Sequence, residues 1–409
     1  MNLNKLILFT ASFPFGDKET YLESEIQVLS KYFNEIEIYP HFYKDKKTEK
    51  RHVPLNVKVH LPAFPLKKMS RVLLAFRGLL RSPKLSYFFI EFFEFDIYKS
   101  KDKLKRWFFS LIHYLATIGS YQYENVKEES NVIFYFYWGD GWVFSCLNIN
   151  KKNDKTIFIR LHGMDANSEM SNGFLPVRKY IFDKADYLLP ISESLKSYVS
   201  NKFVISHNKI IVSRLGVDIP RMQSSNNHLK SVKIVSCSNV TDNKRVSCIL
   251  NAVSQIKDMN IEWVHFGDGP LLNKIKNQRN SLSLEKVKIS FFGRTSNENI
   301  LNYYKTHDIN AFINVSQYEG VPVSIMEAMS YGIPCIATDA GATNELVNNE
   351  NGILLKNDFS INQLIDSLKM TATKDWNTKR IKAYQHCKFY YNSSKNYHEL
   401  VNILNRNNR

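Results

Sequence analysis

The chain has 409 residues, of which 44% are hydrophobic, and it carries a formal net charge of +16. This length predicts two domains, and the hydrophobic content without low-complexity tracts excludes a disordered protein. No run of about 18 uncharged apolar residues is present, which excludes a membrane span. The five scattered cysteines form no Cys-x-x-Cys pair, so a reducing cytoplasm is favoured over a disulfide framework or a structural zinc site.

The first part of the chain alternates predicted strands and helices. The opening run KLILFTA is interpreted as a buried strand and not as a signal peptide, because it is short and no small-residue cleavage site follows. A loop (FPFGDKET), a helix (TYLESEIQVLSKYF) and an alternating strand (EIEIYP) come next. Three more strands are predicted, at NVIFYFYW, TIFIRLHG and DYLLPIS. Strands that alternate with helices predict a parallel sheet.

Residues 64–121 interrupt this alternation with two long helical patterns. Residues 64–113 contain eleven Lys plus Arg and four Asp plus Glu, a net charge of +7. A basic amphipathic helix with bulky apolar residues fits an anionic membrane surface. In a second interpretation the apolar face packs on the sheet and the basic face is only solvated. Nucleic acid is not favoured as a partner, because no recognition motif accompanies the charge. The interleaved residues are Lys67, Lys68, Arg71, Arg77, Arg81 and Lys84 with Leu73, Leu74, Phe76, Leu79 and Leu80.

The stretch GVDIPRMQSSNNHLK separates the two halves of the chain. It is rich in Ser and Asn, contains Pro220 and has no periodicity, so residues 219–230 are predicted to be a linker. The alternation then restarts, with strands predicted at VKIVSCS, IEWVHFG, VKISFFG, INAFINVS and IPCIAT. The sequence therefore predicts two parallel-sheet α/β domains, residues 1–218 and 231–390, facing each other across a cleft. Ligands of such sheets bind beyond the carboxyl ends of the strands.

Two glutamates flank a predicted turn in the stretch SQYEGVPVSIMEAMSYGIPCIATDAGATNEL. Glu319 lies at the turn and Glu327 lies in the helix that starts near Pro322, a residue suited to a first helical position. The helix N-terminus attracts anions, while the two carboxylates can accept hydrogen bonds from hydroxyl groups. A nucleotide sugar would match both features. An isolated pair of glutamates would more often be structural.

The pair is not isolated, because the whole stretch resembles the nucleotide-sugar signature of the family-four retaining glycosyltransferases of GT-B fold. The segments LHGMD, LGVD and HFGDGPL occur in the order and spacing of that family. The resemblance implies two Rossmann-like domains and a C-terminal helix, residues 391–409, that crosses back to the first domain.

The resemblance also implies roles for individual residues. Glu319 matches the glutamate that binds the donor sugar hydroxyls, and Glu327 matches the one that holds the ribose. His162 matches the histidine near the reacting sugar, and Gly16 matches the glycine of the first loop, which closes over the phosphates and the acceptor. The backbone and side-chain groups implied to hold the sugar and phosphates are those of Gly320, Val321, Val323 and Ser324.

One position departs from the family pattern. The family places an Arg and, five residues later, a Lys on the loop after the first strand of the second domain. Here Lys244 occupies the Lys position, but Asn239 stands in place of the Arg. Arg245 or Arg294 is expected to supply the second cation for the diphosphate. No Asp-x-Asp triplet occurs, so we expect the charge of the leaving group to be stabilised by these cations and by helix N-termini, without a metal or other cofactor.

The sequence therefore predicts a cytoplasmic, metal-independent, retaining glycosyltransferase with His162, Lys244 and Glu319 in catalytic roles. It would move a hexose from a nucleotide diphosphate sugar to a lipid-linked or polysaccharide acceptor in surface glycan biosynthesis, reached from the inner face of the plasma membrane. The alternatives are an epimerase or phosphorylase of the same fold, or a non-catalytic anion-binding protein. The donor base, the sugar and the oligomeric state do not follow from the sequence.

Overall fold

The chain folds into two α/β units. The computed structural model describes residues 3–16, 19–42, 49–64, 68–81, 85–139, 141–147, 149, 155–171, 173–222, 232–373 and 375–406. Unit 1 comprises residues 1–214 and 396–409, and unit 2 comprises residues 215–395. The first division thus lies four residues before the domain end at 218 given by the sequence analysis. Residues 223–230 of the predicted linker lie outside the described residues.

The sheet of unit 1 has six parallel strands in the order β3-β2-β1-β4-β5-β6. This is the doubly wound order, in which the chain reverses direction across the sheet between β1 and β4. Strand β4, VIFYF, is buried along its whole length because helices cover both faces of such a sheet. The strands are β1 (Leu3–Thr10), β2 (Phe33–Pro40), β3 (Val57–Val59), β4 (Val132–Phe136), β5 (Lys155–Leu161) and β6 (Tyr187–Pro190).

The sheet of unit 2 repeats this topology, in the order β12-β11-β10-β7-β8-β9. Its switch point lies between β7 and β10, which pair directly through Ala311 opposite Ile234 and Phe312 opposite Val235. The strands are β7 (Val232–Cys237), β8 (Ile261–Phe266), β9 (Val287–Gly293), β10 (Ala311–Asn314), β11 (Cys335–Thr338) and β12 (Gly352–Leu355). Loops that follow β7 and β10 therefore meet at one edge of the sheet.

The helices of the described residues connect these strands. Unit 1 contains α1 (Leu22–Leu29), α2 (Lys68–Leu80), α3 (Ser86–Glu94), α4 (Lys101–Gly119), α5 (Tyr121–Glu128), α6 (Trp142–Leu147), α7 (Arg178–Lys184) and α8 (Glu193–Phe203). Unit 2 contains α9 (Val246–Gln255), α10 (Leu272–Asn280), α11 (Asn297–Thr306), α12 (Val323–Ser330), α13 (Ile361–Met370) and α14 (Asp375–Tyr390). The last helix is α15 (Ser393–Leu404), and its residues from Asn396 onward belong to unit 1. There Leu400 and Leu404 pack in the core with Leu6 and Leu8 of β1.

The helical segment between β3 and β4 is held together by two glycines. Helices α2 and α4 pack so closely that a Cβ atom on Gly78 would lie 1.9 Å from the carbonyl oxygen of Leu115. A Cβ atom on Gly119 would lie 1.9 Å from the carbonyl oxygen of Leu74. The first long helical pattern of the sequence forms two helices, since α2 ends at Leu80 and α3 begins at Ser86. Pro83 lies between them, and proline in a helix interior removes a backbone hydrogen bond and clashes with the preceding turn.

Part of the apolar surface of this segment is exposed. Helices α2, α3 and α4 carry eleven exposed large apolar side chains, so the interpretation that their apolar faces pack on the sheet is wrong for these positions. Leu73, Phe76, Leu79 and Leu80 of the predicted apolar face are 45–70% exposed. Lys67 and Lys84 lie outside the described residues. The eleven are Val72, Leu73, Phe76, Leu79, Leu80, Phe89, Ile90, Phe93, Leu104, Phe108 and Phe109.

Candidate active site

The switch point of unit 2 brings together Lys244 and Glu319, two of the residues singled out in the sequence. Lys244 lies on the loop after β7 and Glu319 lies on the turn after the neighbouring strand β10. The Nζ atom of Lys244 donates a hydrogen bond to Oε1 of Glu319 at 2.6 Å. Their side chains are 22% and 12% exposed, so both remain within reach of a ligand. The result is an ion pair at the edge of the sheet where doubly wound proteins bind ligands.

Glu319 is oriented by Asn314, which ends β10. The Nδ2 atom of Asn314 donates to Oε1 of Glu319 at 3.1 Å. Its Oδ1 atom accepts from the backbone N–H of Ser316 at 3.1 Å and from the Ser316 hydroxyl at 2.7 Å. These bonds fix the rotamer of Asn314, so the Glu319 carboxylate has a defined direction before any ligand binds. Asn314 is not recognisable from the sequence as a site residue, because an Asn at a strand end has no distinctive pattern.

The turn that carries Glu319 rests directly on Gly341. This glycine has φ of +60°, and a Cβ atom on it would lie 1.9 Å from the carbonyl oxygen of Glu319. The N–H of Ala342 donates to the carbonyl oxygen of Gly320 at 3.0 Å. A side chain at position 341 would therefore displace the turn, which explains the glycine in the segment DAGATNE.

Asn243 joins the loop after β7 to the turn after β10. Its Oδ1 atom accepts from the N–H of Tyr318 at 2.9 Å, and its Nδ2 atom donates to the carbonyl oxygen of Tyr318 at 3.1 Å. Its own carbonyl oxygen accepts from the N–H of Gln317 at 2.8 Å. Through these hydrogen bonds Asn243, the neighbour of Lys244, fixes the distance between the two loops.

Arg245 has a structural position in this scaffold. Its guanidinium donates to the carbonyl oxygens of Val315 at 2.5 Å, Ser316 at 3.1 Å and Asn357 at 2.7 Å, and to the Asn357 side chain at 2.9 Å. The Cζ atom also lies 4.9 Å from the ring centroid of Phe359. Burial lowers the pKa of Arg245 from its ordinary value. Because most of its N–H groups already hold backbone oxygens, Arg245 is poorly placed to bind a phosphate.

Asn239 and Arg294 are both exposed at the same end of the sheet. Asn239 lies on the loop after β7, and Arg294 directly follows β9. The loop of Asn239 is packed against the predicted FGDG turn, where a Cβ atom on Gly267 would lie 1.9 Å from the carbonyl oxygen of Ser238. Of the two arginines considered for the diphosphate, Arg294 is therefore the one whose side chain is exposed to solvent.

Helix α12 contributes its N-terminus and Glu327. Pro322 is the N-cap residue, and the first-turn amides of Val323 and Ser324 have no acceptor within the helix. Gly320 and Val321 lead into this turn. Glu327 is half-buried on α12. Burial raises its pKa to about 7, and a hydrogen bond with Asn297 opposes that effect only in part.

Cys237, the last residue of β7, lies within the electrostatic field of both Glu327 and Lys244. Burial raises the pKa of the Cys237 thiol to about 12, and the charge of Glu327 adds to this effect while that of Lys244 opposes it. The thiol is therefore protonated at neutral pH, and a protonated thiol is a weak nucleophile.

His162 of unit 1 follows β5 and is packed among aromatic rings. Its ring centroid lies 4.4 Å from that of Trp138 and 4.7 Å from that of Tyr137. Its pKa lies well below the ordinary value, because burial and then the charge of Arg160 disfavour the protonated form, although a hydrogen bond to the backbone of Tyr137 opposes them. The buried Nε2 atom has no hydrogen-bond partner among the described residues. His162 is thus a neutral imidazole with one nitrogen left for a ligand.

Two buried carboxylates, which the sequence analysis did not assign, set the loops around His162. Asp165 accepts from the N–H of His162 and from the N–H of Gly139, both at 2.8 Å. Glu19 accepts from the N–H groups of Ala11, Ser12 and Phe13 at 3.1, 2.8 and 2.7 Å, and from Nε1 of Trp138 at 2.6 Å.

Glu19 thereby fixes the loop after β1, in which Gly16 has φ of +74°. It also holds Trp138, the indole that packs on His162. Glu19 and Asp165 lie within two segments that stand out in the sequence, FPFGDKET and LHGMD. The sequence of these segments does not indicate which backbone N–H groups the two carboxylates hold.

The described residues contain neither a helix that could span a membrane nor a cluster of metal ligands. No helix within them has the length and apolar character needed to cross a bilayer. No group of three or more His, Cys, Asp or Glu side chains within them is arranged to hold a metal ion.

The second unit matches a known family. The sequence model of Glycosyl transferases group 1 matches residues 218–385, almost the whole of unit 2. The match covers about 41% of the chain and lies within unit 2. The matched region contains the Lys244–Glu319 pair, Glu327 and the N-terminus of α12.

Similar proteins and structures cover different parts of the chain. The putative colanic acid biosynthesis glycosyltransferase WcaL of Escherichia coli strain K12 is 29% identical over 203 residues, 47% of this chain and 48% of WcaL. The chain therefore spans about half the length of the curated relatives it matches. Among solved structures, the lipopolysaccharide outer core galactosyltransferase WaaB in its apo form has a TM-score of 0.69 at 19% identity and covers 97% of this chain and 99% of its own.

A second solved structure, Anabaena Alr3699/HepE in complex with UDP and glucose, has a TM-score of 0.66 at 14% identity. It covers 98% of this chain and 99% of its own. Together with the two six-stranded parallel sheets, these likenesses confirm the predicted GT-B fold.

Proposed function

We propose that the chain is a glycosyltransferase of bacterial surface glycan biosynthesis that takes a hexose from a nucleotide diphosphate sugar and retains its anomeric configuration. The observation that carries this proposal is the Lys244–Glu319 ion pair at the switch point of the glycosyltransferase domain, beside Glu327 and α12. The relatives add support, since WcaL is named for colanic acid biosynthesis and HepE was solved with UDP and glucose.

The ion pair has a role in donor binding. In the unliganded protein Lys244 is neutralised by Glu319. A diphosphate offers a stronger anionic partner, so Lys244 moves its contact to the phosphate oxygens and leaves Oε1 of Glu319 free to accept from sugar hydroxyl groups. The amides of Gly320, Val321, Val323 and Ser324 approach the same anion, as helix N-termini do. Glu327 accepts hydrogen bonds from the ribose hydroxyl groups.

The second cation of the diphosphate site is Arg294 in this proposal. Arg245 is bound to the backbone oxygens of Val315, Ser316 and Asn357, and Asn239 has no charge. Lys244, Arg294 and the α12 amides then stabilise the charge that develops on the leaving nucleoside diphosphate. We propose that no metal is needed for this step.

The chemistry uses no protein nucleophile. The thiol of Cys237 is protonated at neutral pH, and Glu319 is held by Lys244 and Asn314. The acceptor hydroxyl attacks the anomeric carbon on the face from which the diphosphate leaves. Its proton passes to a departing phosphate oxygen, and the C–O bond to the diphosphate breaks as the new glycosidic bond forms. The neutral imidazole of His162 orients the sugar through its Nε2 atom.

We also propose that helices α2, α3 and α4 dock on an anionic membrane surface. Their eleven exposed apolar side chains lie beside exposed basic residues that include Arg77, Lys101 and Lys105. Apolar patches of this kind on a soluble unit mark interaction sites, and the positive charge complements anionic lipid headgroups. Such docking would bring the enzyme to a lipid-linked acceptor.

Vesicle sedimentation tests the docking. Binding to vesicles of phosphatidylcholine and phosphatidylglycerol is expected to exceed binding to vesicles of phosphatidylcholine alone. The double variant Phe76→Ser, Phe93→Ser should bind the mixed vesicles at least about tenfold more weakly, since each Phe buried in the membrane contributes about 1.5–3 kcal/mol. The matched control is Phe389→Ser, because Phe389 is 61% exposed in unit 2. Equal binding by both variants, or dimerisation in place of vesicle binding, would contradict the proposal.

Proton NMR of a transfer reaction tests the central function. The protein is incubated with UDP-, GDP- or ADP-linked α-hexoses, an acceptor extract from bacterial membranes, and EDTA. The proposal predicts an α-linked product from one of the donors. EDTA should not change the yield, and the Glu319→Ala variant should form no product. A β-linked product would refute retention. Conversion of the donor sugar into an epimer without an acceptor would establish the epimerase instead.

A further inference from the structure

Helices α3 and α7 of unit 1 enclose a cavity of about 240 Å³, which we call the α3–α7 cavity. The proposed transfer reaction does not use it. Two of its lining residues, Ile90 and Phe95, are 56% and 43% exposed. Ile90 is one of the exposed apolar side chains of α2, α3 and α4. The cavity therefore borders the surface for which membrane docking is proposed.

Glu91 of α3 is the buried carboxylate of this cavity. It is 8% exposed, and its Oε1 atom accepts from the backbone N–H of Val177, just before α7, at 2.5 Å. Its Oε2 atom has no hydrogen-bond donor among the described residues. Burial raises the pKa of Glu91 to about 7 and the charge of Glu94 adds to this effect, whereas the Val177 hydrogen bond and the charge of Arg178 oppose it. A buried carboxylate that lacks donors is unfavourable, so a ligand that supplies an N–H group is favoured here.

Aromatic rings line the cavity beside this carboxylate. The rings of Tyr87 on α3 and Tyr180 on α7 are in contact, with centroids 3.7 Å apart. Phe95 adds a third ring to the lining. The faces of aromatic rings attract cations. Together with a carboxylate that lacks a donor, these rings favour an ammonium group.

The α7 side of the cavity also carries positive charge. The Nζ atom of Lys179 lies 2.7 and 2.8 Å from the two carboxylate oxygens of Asp183, so these two charges largely neutralise each other. Lys184 lines the cavity as well and is exposed. The remaining charges of the lining are the carboxylates of Glu91 and Glu94 on α3 and the ammonium of Lys184 on α7. A ligand that carries both an ammonium and a phosphate would complement the two sides.

We propose that the α3–α7 cavity binds the headgroup of a phospholipid with a primary ammonium, phosphatidylethanolamine. The ammonium donates to the Glu91 carboxylate beside the aromatic rings, and the phosphate lies toward Lys184. The acyl chains continue into the bilayer next to Ile90. The volume is below the roughly 300–1,000 Å³ of pockets that hold drug-sized ligands, which suits a headgroup and not a whole lipid. This inference rests on the proposed docking of α2, α3 and α4, since it names the lipid that the docked surface recognises.

Other ligands match the cavity less well. Choline has no N–H group, so a phosphatidylcholine headgroup leaves the Glu91 carboxylate without a second donor. The headgroup of phosphatidylglycerol has no positive charge to offset the carboxylates of α3. The lysine side chain of a partner protein supplies an ammonium but no phosphate for Lys184.

Ligand-observed NMR titration of the full chain with soluble headgroups tests the cavity. The probes are glycerophosphoethanolamine and glycerophosphocholine, which differ only in the N-methyl groups of choline. Glycerophosphoethanolamine is expected to bind more tightly. Glu91→Gln keeps the shape of the side chain and removes its charge, so it should weaken this binding at least about tenfold. Glu298→Gln, at an exposed position of unit 2, is the matched control.

Lys184→Met provides a second variant, which is expected to keep the fold because Lys184 is exposed. It should weaken the binding of glycerophosphoethanolamine but not that of ethanolamine, which has no phosphate. Nucleotide binding, measured on the same samples by thermal shift, shows that the variants are folded and tests the donor site separately.

Vesicle sedimentation connects the cavity with the docking. The wild-type chain should bind vesicles of phosphatidylcholine with phosphatidylethanolamine more tightly than vesicles of phosphatidylcholine alone. Glu91→Gln should lose this difference and keep the preference for phosphatidylglycerol.

Headgroup binding that is weakened in both cavity variants and not in Glu298→Gln supports the inference. Equal binding of the two soluble headgroups, or unchanged binding in Glu91→Gln, overturns it; the docking then still stands if vesicles with phosphatidylglycerol are bound. Selective binding of glycerophosphoethanolamine without binding to any vesicle refutes the docking but supports the cavity as an ammonium and phosphate site.

Discussion

Replacing Glu327 with Gln should stabilise the free protein and impair its function. Burial raises the pKa of Glu327 to about 7 from an ordinary value of 4.5. The folded protein therefore binds this proton more tightly than the unfolded chain does. Between pH 4.5 and pH 7 the unfolded state releases the proton first, so the free energy of unfolding falls as the pH rises through this interval and stays low above it.

The difference between the two pKa values corresponds to about 3 kcal/mol. Gln has the same shape without the charge, so Glu327→Gln should regain about 3 kcal/mol at pH 8 but less than about 1 kcal/mol at pH 5. For a unit of this size the gain at pH 8 raises the melting temperature by roughly 6–12 °C. If the carboxylate holds the ribose, the same variant should bind UDP, GDP or ADP more weakly, because the amide has one acceptor oxygen in place of two and its hydrogen bonds are not charge-assisted.

Differential scanning calorimetry at pH 5, 6, 7 and 8 provides the assay, with Glu298→Gln as control. Glu298 is an exposed residue in the first turn of α11, where the loss of its charge costs at most about 1 kcal/mol, so its replacement should lower the melting temperature by no more than about 4 °C and should not raise it. A stability difference that is absent, or that does not grow with pH, would refute the reasoning from burial. A stabilised variant that binds nucleotide as the wild type does would refute the assigned role of Glu327.

Three further substitutions test the scaffold. Arg294→Ala should weaken UDP binding at least about tenfold in titration calorimetry. Arg245→Ala should lower the melting temperature, because it frees the carbonyl oxygens of Val315, Ser316 and Asn357. Unchanged UDP binding in Arg294→Ala together with weaker binding in Arg245→Ala would make Arg245 the phosphate ligand. Gly341→Ala should destabilise the protein by at least about 2 kcal/mol more than Gly293→Ala does. Both glycines have positive φ, but only at Gly341 would the added Cβ atom touch a backbone atom. Equal denaturation midpoints of the two variants would contradict this. Arg160→Met should lower the free energy of unfolding, measured by urea denaturation, by about 3–5 kcal/mol, because Glu25 is left buried and without its ion-pair partner. Adding Glu25→Leu to the same chain should recover most of this loss. No recovery would mean that the ion pair itself stabilises the fold.

The fold and the donor-site signature could be predicted because they are local in the sequence. Each strand and helix has its own periodicity, and the positions of Glu319, Glu327 and Lys244 are recognised from their spacing within one segment or one loop. The family model matches unit 2, and the solved structures bear out the GT-B fold. The roles of the individual residues remain predictions.

The residues that orient the site could not be predicted because their partners are distant in sequence. Glu25 and Arg160 are 135 residues apart, and Asn243 meets Tyr318 across 75 residues. A carboxylate in a loop, such as Glu19, looks like a solvated charge until the fold turns three N–H groups toward it. Periodicity also cannot say which side of a helix is covered, so the exposure of Phe76 and Leu80 on α2 emerged only from the structure.

Titration calorimetry with UDP, GDP and ADP tests the central claim most directly. The account predicts that the wild-type chain binds one of these nucleotides, that EDTA does not change the affinity, and that Lys244→Met binds at least about tenfold more weakly because one charge-assisted contact is lost. Lys288→Met serves as the control, since Lys288 is an exposed lysine on β9. No binding of any nucleotide, or equal affinity in Lys244→Met, would contradict the account.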